Sequence, residues 1–269
     1  MKNAYATTLT HGDAYAPGVE ALGRSLKATG THEAMVVMVT PDVSLPARNR
    51  FAEAGWIVRD IEPVKNPLPA GEQLFPRFEA TFTKLRAWEL DEFDKVVLLD
   101  ADMIVLRDLG DLFDRPELSA APDFMRPDRF NSGAMVLEPS RDKLARMLQQ
   151  LAASPTYDGG DQGFLNTFFG DWYSGPADRR LPTWYNLPNF IYQFMLAHPT
   201  LHAEVEREAK VVHYLVQKPW EAAPLVTGGS ELWWTAYLGG HPELDSSWKR
   251  HVHTAEDGAF DRAVAIVTG

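Results

Sequence analysis

Residues 96–102 read Val-Val-Leu-Leu-Asp-Ala-Asp, an apolar run that ends in two carboxylates one residue apart. In an extended chain residues i and i+2 point to the same side, so Asp100 and Asp102 could share one divalent cation. Ligands also collect at the carboxyl ends of strands in open α/β sheets. The same Asp-x-Asp can serve simply to end a strand in a turn. His213, at the end of a strand expected over 210–214, is a further candidate ligand or a buried structural histidine. Two carboxylates and one imidazole suit Mn2+ well and Mg2+ less well, because imidazole nitrogen is the softer donor. Arg77, Lys84 and Lys218 are cations that could neutralise a diphosphate, or solvated surface charges. In Asp158-Gly159-Gly160-Asp161-Gln162-Gly163 the glycines let backbone approach a ligand, while Asp161 and Gln162 suit sugar hydroxyls. The same stretch could be a plain loop and helix cap. Asn131-Ser132-Gly133 sets polar groups at the start of an apolar strand, or forms a turn.

These residues need a scaffold. Short, continuous apolar runs at 4–9, 35–39, 56–61 and 96–99 have the length and composition of buried parallel strands. Between the first two, Val19, Leu22 and Leu26 fall at helical spacing within 14–28, and Gly30 follows as a stop signal. A second helix is expected over 46–54 before Gly55, and a third over 79–90 with Phe82, Leu85 and Trp88 on one stripe. The alternation implies a doubly wound α/β sheet. Four prolines between Glu62 and Arg77 (Pro63, Pro67, Pro69 and Pro76) rule out regular structure there and suggest a long loop over the site. Further on come a strand over 132–137, a helix from the N-cap Ser140 to about 153, and a short helix over 163–169. Trp220, Trp233, Trp234 and Trp248 supply packing for the C-terminal third.

The 269 residues are 45% hydrophobic and 23% charged, the profile of a soluble globular protein. With 26 Lys plus Arg against 37 Asp plus Glu, the net charge of −11 disfavours nucleic acid and anionic membrane as partners. No cysteine is present, so disulfides, thiolate metal sites and cysteine nucleophiles are excluded. No stretch approaches the roughly 20 apolar residues needed to cross a bilayer, and a cytoplasmic protein is expected. Strand one is followed by Thr-His-Gly-Asp-Ala-Tyr-Ala-Pro-Gly with no G-x-G-x-x-G, which argues against a dinucleotide-dependent dehydrogenase.

Taken together, DAD at 100–102, FNSG at 130–133, DGGDQG at 158–163, LNTFF at 165–169 and VVHYLVQKPW at 211–220 resemble the signature blocks of glycosyltransferase family 8, in its glycogenin-like branch. The likeness runs in order to about residue 237. It implies one GT-A domain, a Rossmann-like α/β fold with a mostly parallel sheet. The domain would comprise a nucleotide-binding half over about 1–125, a sugar and acceptor half over about 126–240, and a C-terminal segment over 241–269. It implies Asp100, Asp102 and His213 as ligands of Mn2+, or of Mg2+, and a UDP-sugar, UDP-glucose or UDP-galactose, as donor. Leu9, Thr10 and Tyr15 match the uracil and ribose segment, and Ala101 the residue near the ribose. Arg77, Lys84 and Lys218 match positions near the diphosphate and donor sugar. Asn131, Ser132, Asp158, Asp161 and Gln162 match the sugar pocket.

The implied reaction is retaining transfer of a hexose to an unidentified hydroxyl acceptor, with an α-linked product. Lys218 would stabilise charge on the departing diphosphate, and Asp161 and Gln162 would position the sugar and stabilise its cation. Self-glucosylation at Tyr192 and a non-catalytic nucleotide-sugar binding module are the alternatives, and homodimers occur in the family. The sequence departs from the family in three places. His11-Gly12 replaces the usual nucleotide-loop pair. The segment from His213 to Lys218 is one residue short and lacks a phosphate-contacting glycine. No long tail is expected after the catalytic region.

Overall fold

The structure, a computed structural model, describes residues 1–68, 79–154, 156–215, 218–221 and 230–239. Strands β1 (Asn3–Leu9), β2 (Ala34–Val39), β3 (Ile57–Asp60) and β4 (Lys95–Leu99) form a parallel set in the order β3-β2-β1-β4. The sheet is completed by β6 (Ser119–Pro122) and β7 (Phe130–Leu137), where β7 runs antiparallel to both β4 and β6. Two helices, α1 (Ala16–Ala28) and α2 (Leu45–Glu53), make the crossovers.

The continuous apolar runs are explained by two covered faces. Tyr5, Val37, Val39, Val97 and Leu99 pack with Val19, Leu22 and Leu26 of α1 and Phe51 of α2. Their neighbours Ala4, Ala6, Val36, Met38, Val96 and Leu98 point the other way. There they meet Phe82, Leu85 and Trp88, with residues of α3 (Arg141–Gln150) and α4 (Asp161–Phe168). Gly30 (φ +82°) and Gly55 (φ +90°) follow α1 and α2 in the left-handed region that a side chain would strain. Ser44 and Ser140 cap α2 and α3 by accepting from the Ala47 and Lys143 amides.

Three details differ from the sequence reading. Residues Thr81–Glu89 form a 3₁₀ helix. Phe82, Leu85 and Trp88 are spaced by three twice running, which aligns them at 3.0 residues per turn better than at 3.6. The run expected as a buried strand over 56–61 holds the edge strand β3, which pairs with β2 alone, so Ile57 and Asp60 are exposed and Val58 and Arg59 half-buried, whereas Asn131-Ser132-Gly133 lies near the start of β7 as expected. The strand expected over 210–214 is β9 (Val211–His213), and it joins a second, three-stranded sheet. In that sheet β5 (Met103–Val105) pairs antiparallel with β9, and β8 (Leu187–Pro188) pairs parallel with it. Met103 faces His213 and Pro188 also pairs with His213. Beyond β8 come α5 (Asn189–Ala197) and α6 (His202–Glu208).

Trp233 and Trp234 of α7 (Ser230–Leu238) pack on Ile104, Val212 and Tyr214, which ties the second sheet to α1. Arg24 of α1 also donates to the Tyr237 carbonyl at 2.7 Å. Pro69, Pro76, Arg77 and Trp248 lie outside the described residues, as does 241–269. Among the described residues no helix is long and apolar enough to cross a membrane.

Candidate active site

β4 is held on both sides, by β1 and β7, so its carboxyl end is a rigid place to mount charge. The Asp100 amide donates to Gly133 O of β7 at 2.8 Å, and the Tyr214 amide donates to Asp102 O at 2.9 Å. The chain thus passes from the large sheet to the small one through the two aspartates, and β9 returns His213 beside them. Ligand atoms of Asp100, Asp102 and His213 all lie within 4.8 Å of one another. His213 Nε2 is 3.2 Å from Asp102 Oδ1, and its Nδ1 is 2.8 Å from Asn186 Oδ1. Converging carboxylates with one imidazole are a donor set that fits a divalent cation. Gly133 makes room for the ring, since a Cβ there would lie 2.5 Å from His213 Cε1 and 2.7 Å from Met103 Cε.

Two lysines enter the same cluster, and neither is a solvated surface charge. Lys84, from the 3₁₀ segment, sits 2.8 Å from Asp100 Oδ1 and 3.0 Å from Asp161 Oδ2, and donates to Ser132 O at 3.2 Å. Lys218 contacts Asp102 Oδ2 and donates to Tyr214 O at 2.6 Å. Burial works against charge on Lys84, but Asp100 and Asp161 hold its ammonium above the usual lysine value. Burial also works against charge on Asp102, yet Lys218 and His213 outweigh it and hold that carboxyl well below the usual range. Burial pushes the Asp100 carboxyl up; Lys84 opposes this and Asp102 adds to it.

Beside these candidate ligands, α4 brings Asp161 and Gln162 against the start of β7. Asp161 Oδ2 accepts from Ser132 Oγ at 3.0 Å, and Gln162 Oε1 accepts from the Ser132 amide at 3.2 Å. Gln162 Nε2 donates to Asp123 Oδ2 at 3.2 Å and to Tyr157 OH at 3.1 Å, and Asn131 Nδ2 reaches Asp123 Oδ2 at 3.3 Å. Asp158 Oδ1 turns into its own loop, accepting from the Gly160 and Gly163 amides at 2.9 and 3.0 Å, so that oxygen organises the start of α4.

On the far side Leu9, Thr10, Tyr15 and Ala101 border the same space. His11 (φ +60°) and Gly12 (φ +68°) form a tight loop there. Asp42 pins it by accepting from the Gly12 amide at 2.8 Å, and Asp13 reaches across to accept from the Ser44 amide at 2.9 Å. Tyr15 meets Trp220 edge to face at 5.3 Å.

One cavity of about 650 Å³ is lined by all of the expected site residues except Arg77, which is not described. Sequence reasoning missed Asp123 and Asn186. Asp123 follows β6 directly, the same carboxylate-after-strand signal that marks Asp100. Asn186 is buried between a 3₁₀ turn and a two-residue strand, and no spacing announces it. Tyr192, on α5, does not line the cavity; it is half-buried against two aromatic and aliphatic clusters, and burial raises its phenol.

The chain is 41% identical over 228 residues to Glycogenin-1 of Oryctolagus cuniculus, which covers 82% of this chain and 66%, just under two thirds, of that relative's length. It is 34% identical over 257 residues to Inositol phosphorylceramide glucuronosyltransferase 1 of Arabidopsis thaliana, covering 88% of this chain and 44% of that one. Protein-family models gave no match. Among solved structures, the galactosyltransferase LgtC, in complex with donor and acceptor sugar analogs, superposes with a TM-score of 0.61 at 19% identity. That alignment covers 87% of this chain and 95% of LgtC, and it shows the GT-A fold. By its sequence relatives, the chain belongs to the glycogenin-like branch of glycosyltransferase family 8.

Proposed function

We propose that this chain transfers a hexose from UDP-glucose or UDP-galactose to a hydroxyl acceptor, retaining the α-configuration and depending on a divalent cation, with Mn2+ preferred and Mg2+ second. The observation that carries the reading is the convergence of Asp100, Asp102 and His213 in the same cavity as Asp161 and Gln162. A cation held by those three ligands would supply Lewis-acid charge to the departing diphosphate. Lys218 sits against Asp102 and could swing its ammonium to a phosphate oxygen.

Leu9, Thr10, Tyr15 and Ala101 would receive the nucleoside in the half formed by about 1–125. Asn131, Ser132 and Asp158 would border the hexose in the half formed by about 126–240. Asp161 already engages Lys84 and Ser132, which supports a positioning and charge-stabilising role over that of a nucleophile. The acceptor would then attack on the face that UDP leaves. Phe124 and Phe190 are exposed, meet edge to face at 5.4 Å and adjoin Asp123, and we place the approach of the acceptor on their side.

The position of Tyr192, outside the lining of its own cavity, supports a separate acceptor over self-glucosylation. The test is UDP release from a panel of UDP-, GDP- and ADP-sugars, with Mn2+ and with EDTA, followed by intact mass. Mn2+-dependent release from one UDP-hexose supports the reading. Tight UDP binding without turnover in the presence of varied acceptors would instead mark a binding module.

A further inference from the structure

The polar groups behind His213 form a chain whose directions are set at both ends by groups with one possible role. At one end the Gly133 backbone amide, which can only donate, points at Asn131 Oδ1 at 3.0 Å. At the other the carboxylate of Asp123, which can only accept when ionised, takes Asn131 Nδ2 at 3.3 Å. The Asn131 amide therefore has one orientation. Its oxygen also faces Asn186 at 2.8 Å, so the Asn186 atom there is the nitrogen. This leaves Asn186 Oδ1, an acceptor, against His213 Nδ1 at 2.8 Å. Nδ1 then carries a ring proton, and Nε2 is left facing Asp102 Oδ1 at 3.2 Å, where a cation would replace any proton it holds.

We propose that Asn186, itself aligned by Asn131, is the positioning residue that fixes the His213 tautomer and so makes Nε2 a metal-binding atom. This rests on the metal site of the proposed function and adds to it a buried link from the sugar side to the metal side. Asn131 and Gln162 share the Asp123 oxygen, so a change in the sugar-side network is carried through two amides to the imidazole. A metal-bound histidine commonly donates its second nitrogen to an acceptor in this way, and losing that acceptor typically costs 10–100-fold in metal affinity.

The test uses the full chain without nucleotide. Mn2+ affinity is measured by calorimetry for wild type, Asn186→Leu and Asn186→Asp. The His213 tautomer is read by proton–nitrogen NMR of the metal-free protein, its signals identified by their loss in His213→Gln. We expect a proton on Nδ1 in the wild type, Mn2+ affinity about 10–100-fold weaker in Asn186→Leu, and a smaller loss in Asn186→Asp, whose carboxylate still accepts from Nδ1 although it no longer donates to Asn131. A residue that only fills space would give similar affinities in both variants. A wild-type His213 protonated on Nε2 alone, or unchanged Mn2+ affinity in a folded Asn186→Leu, overturns the proposal. The NMR result needs no variant to fold, and it stands apart from the metal reading. Failure of the wild type to bind Mn2+ would remove the metal site while the tautomer remained to be judged.

Discussion

Lys84→Met should be among the most damaging single changes in this site, and its cost follows from the geometry. The Lys84 ammonium lies 2.8 Å from Asp100 and 3.0 Å from Asp161, with side-chain exposures of 11%, 29% and 10% respectively. Methionine keeps the stem packed and removes the charge, which leaves two carboxylates facing each other in a largely dry cluster. Breaking a buried pair from one side costs about 3–5 kcal/mol, and the partial exposure of Asp100 places the expectation near the lower end. At roughly 2–4 °C per kcal/mol for a chain of this size, the melting temperature should fall by about 6–12 °C.

The folded-state pKa of Lys84 is raised above its ordinary 10.5, so this stabilisation is fully present below that pH and is lost only as pH rises through the folded value. The wild type should therefore lose stability above about pH 10.5, and the variant should lack that part of the decline. Mn2+ at 100 times its Kd stabilises by about 2.7 kcal/mol. It should raise the variant's melting temperature at least as much as the wild type's, because positive charge returns beside Asp100. Thermal melts by circular dichroism, with and without Mn2+ at pH 7 to 11, measure all three. A variant that melts within about 2 °C of the wild type at pH 7 would refute the reasoning.

Gly133→Ala should weaken Mn2+ binding at least tenfold by displacing the His213 ring, and should cost about 1–3 kcal/mol from overpacking; calorimetry and melts would show both, and unchanged affinity would contradict the steric argument. Hydrogen bonds from Ser44 and Thr40 hold the Asp13 and Asp42 carboxyls below their ordinary 3.8. Their contribution is present above that value and is lost as pH falls through the lower folded values, so Asp13→Asn should flatten the acid limb of the stability curve. Stability measured from pH 2 to 6 tests this, an unchanged limb being the contrary result. Tyr192→Phe should leave UDP release unaltered, and intact mass of the wild type after incubation with donor should show no added hexose.

Much of the framework was legible in the residues themselves because it depends on local periodicity. The runs that became β1, β2 and β4 are mostly apolar because both faces of the sheet are covered there, and that pattern needs no knowledge of partners. The serine caps, the left-handed glycines and the carboxylates after β4 are likewise short-range signals. Lys84 and His213 were legible only as candidates, each with a structural alternative, and the resemblance joined them to the aspartates in one site.

What only the tertiary structure decided is how those members meet. His213 reaches Asp102 because β9 pairs with β5 in a second sheet, a register between residues more than 100 apart that no local pattern encodes. Lys84 is a structural ion pair because the 3₁₀ segment places its ammonium on Asp100 and Asp161; from sequence it could equally have been solvent-facing. Asn186 was invisible for the same reason, since an amide in a coil acquires a role only when the fold sets an imidazole on one side of it and another amide on the other. Secondary structure follows from nearest neighbours and burial pattern, while the direction of a hydrogen-bond chain is fixed only once every donor and acceptor along it has been brought into place.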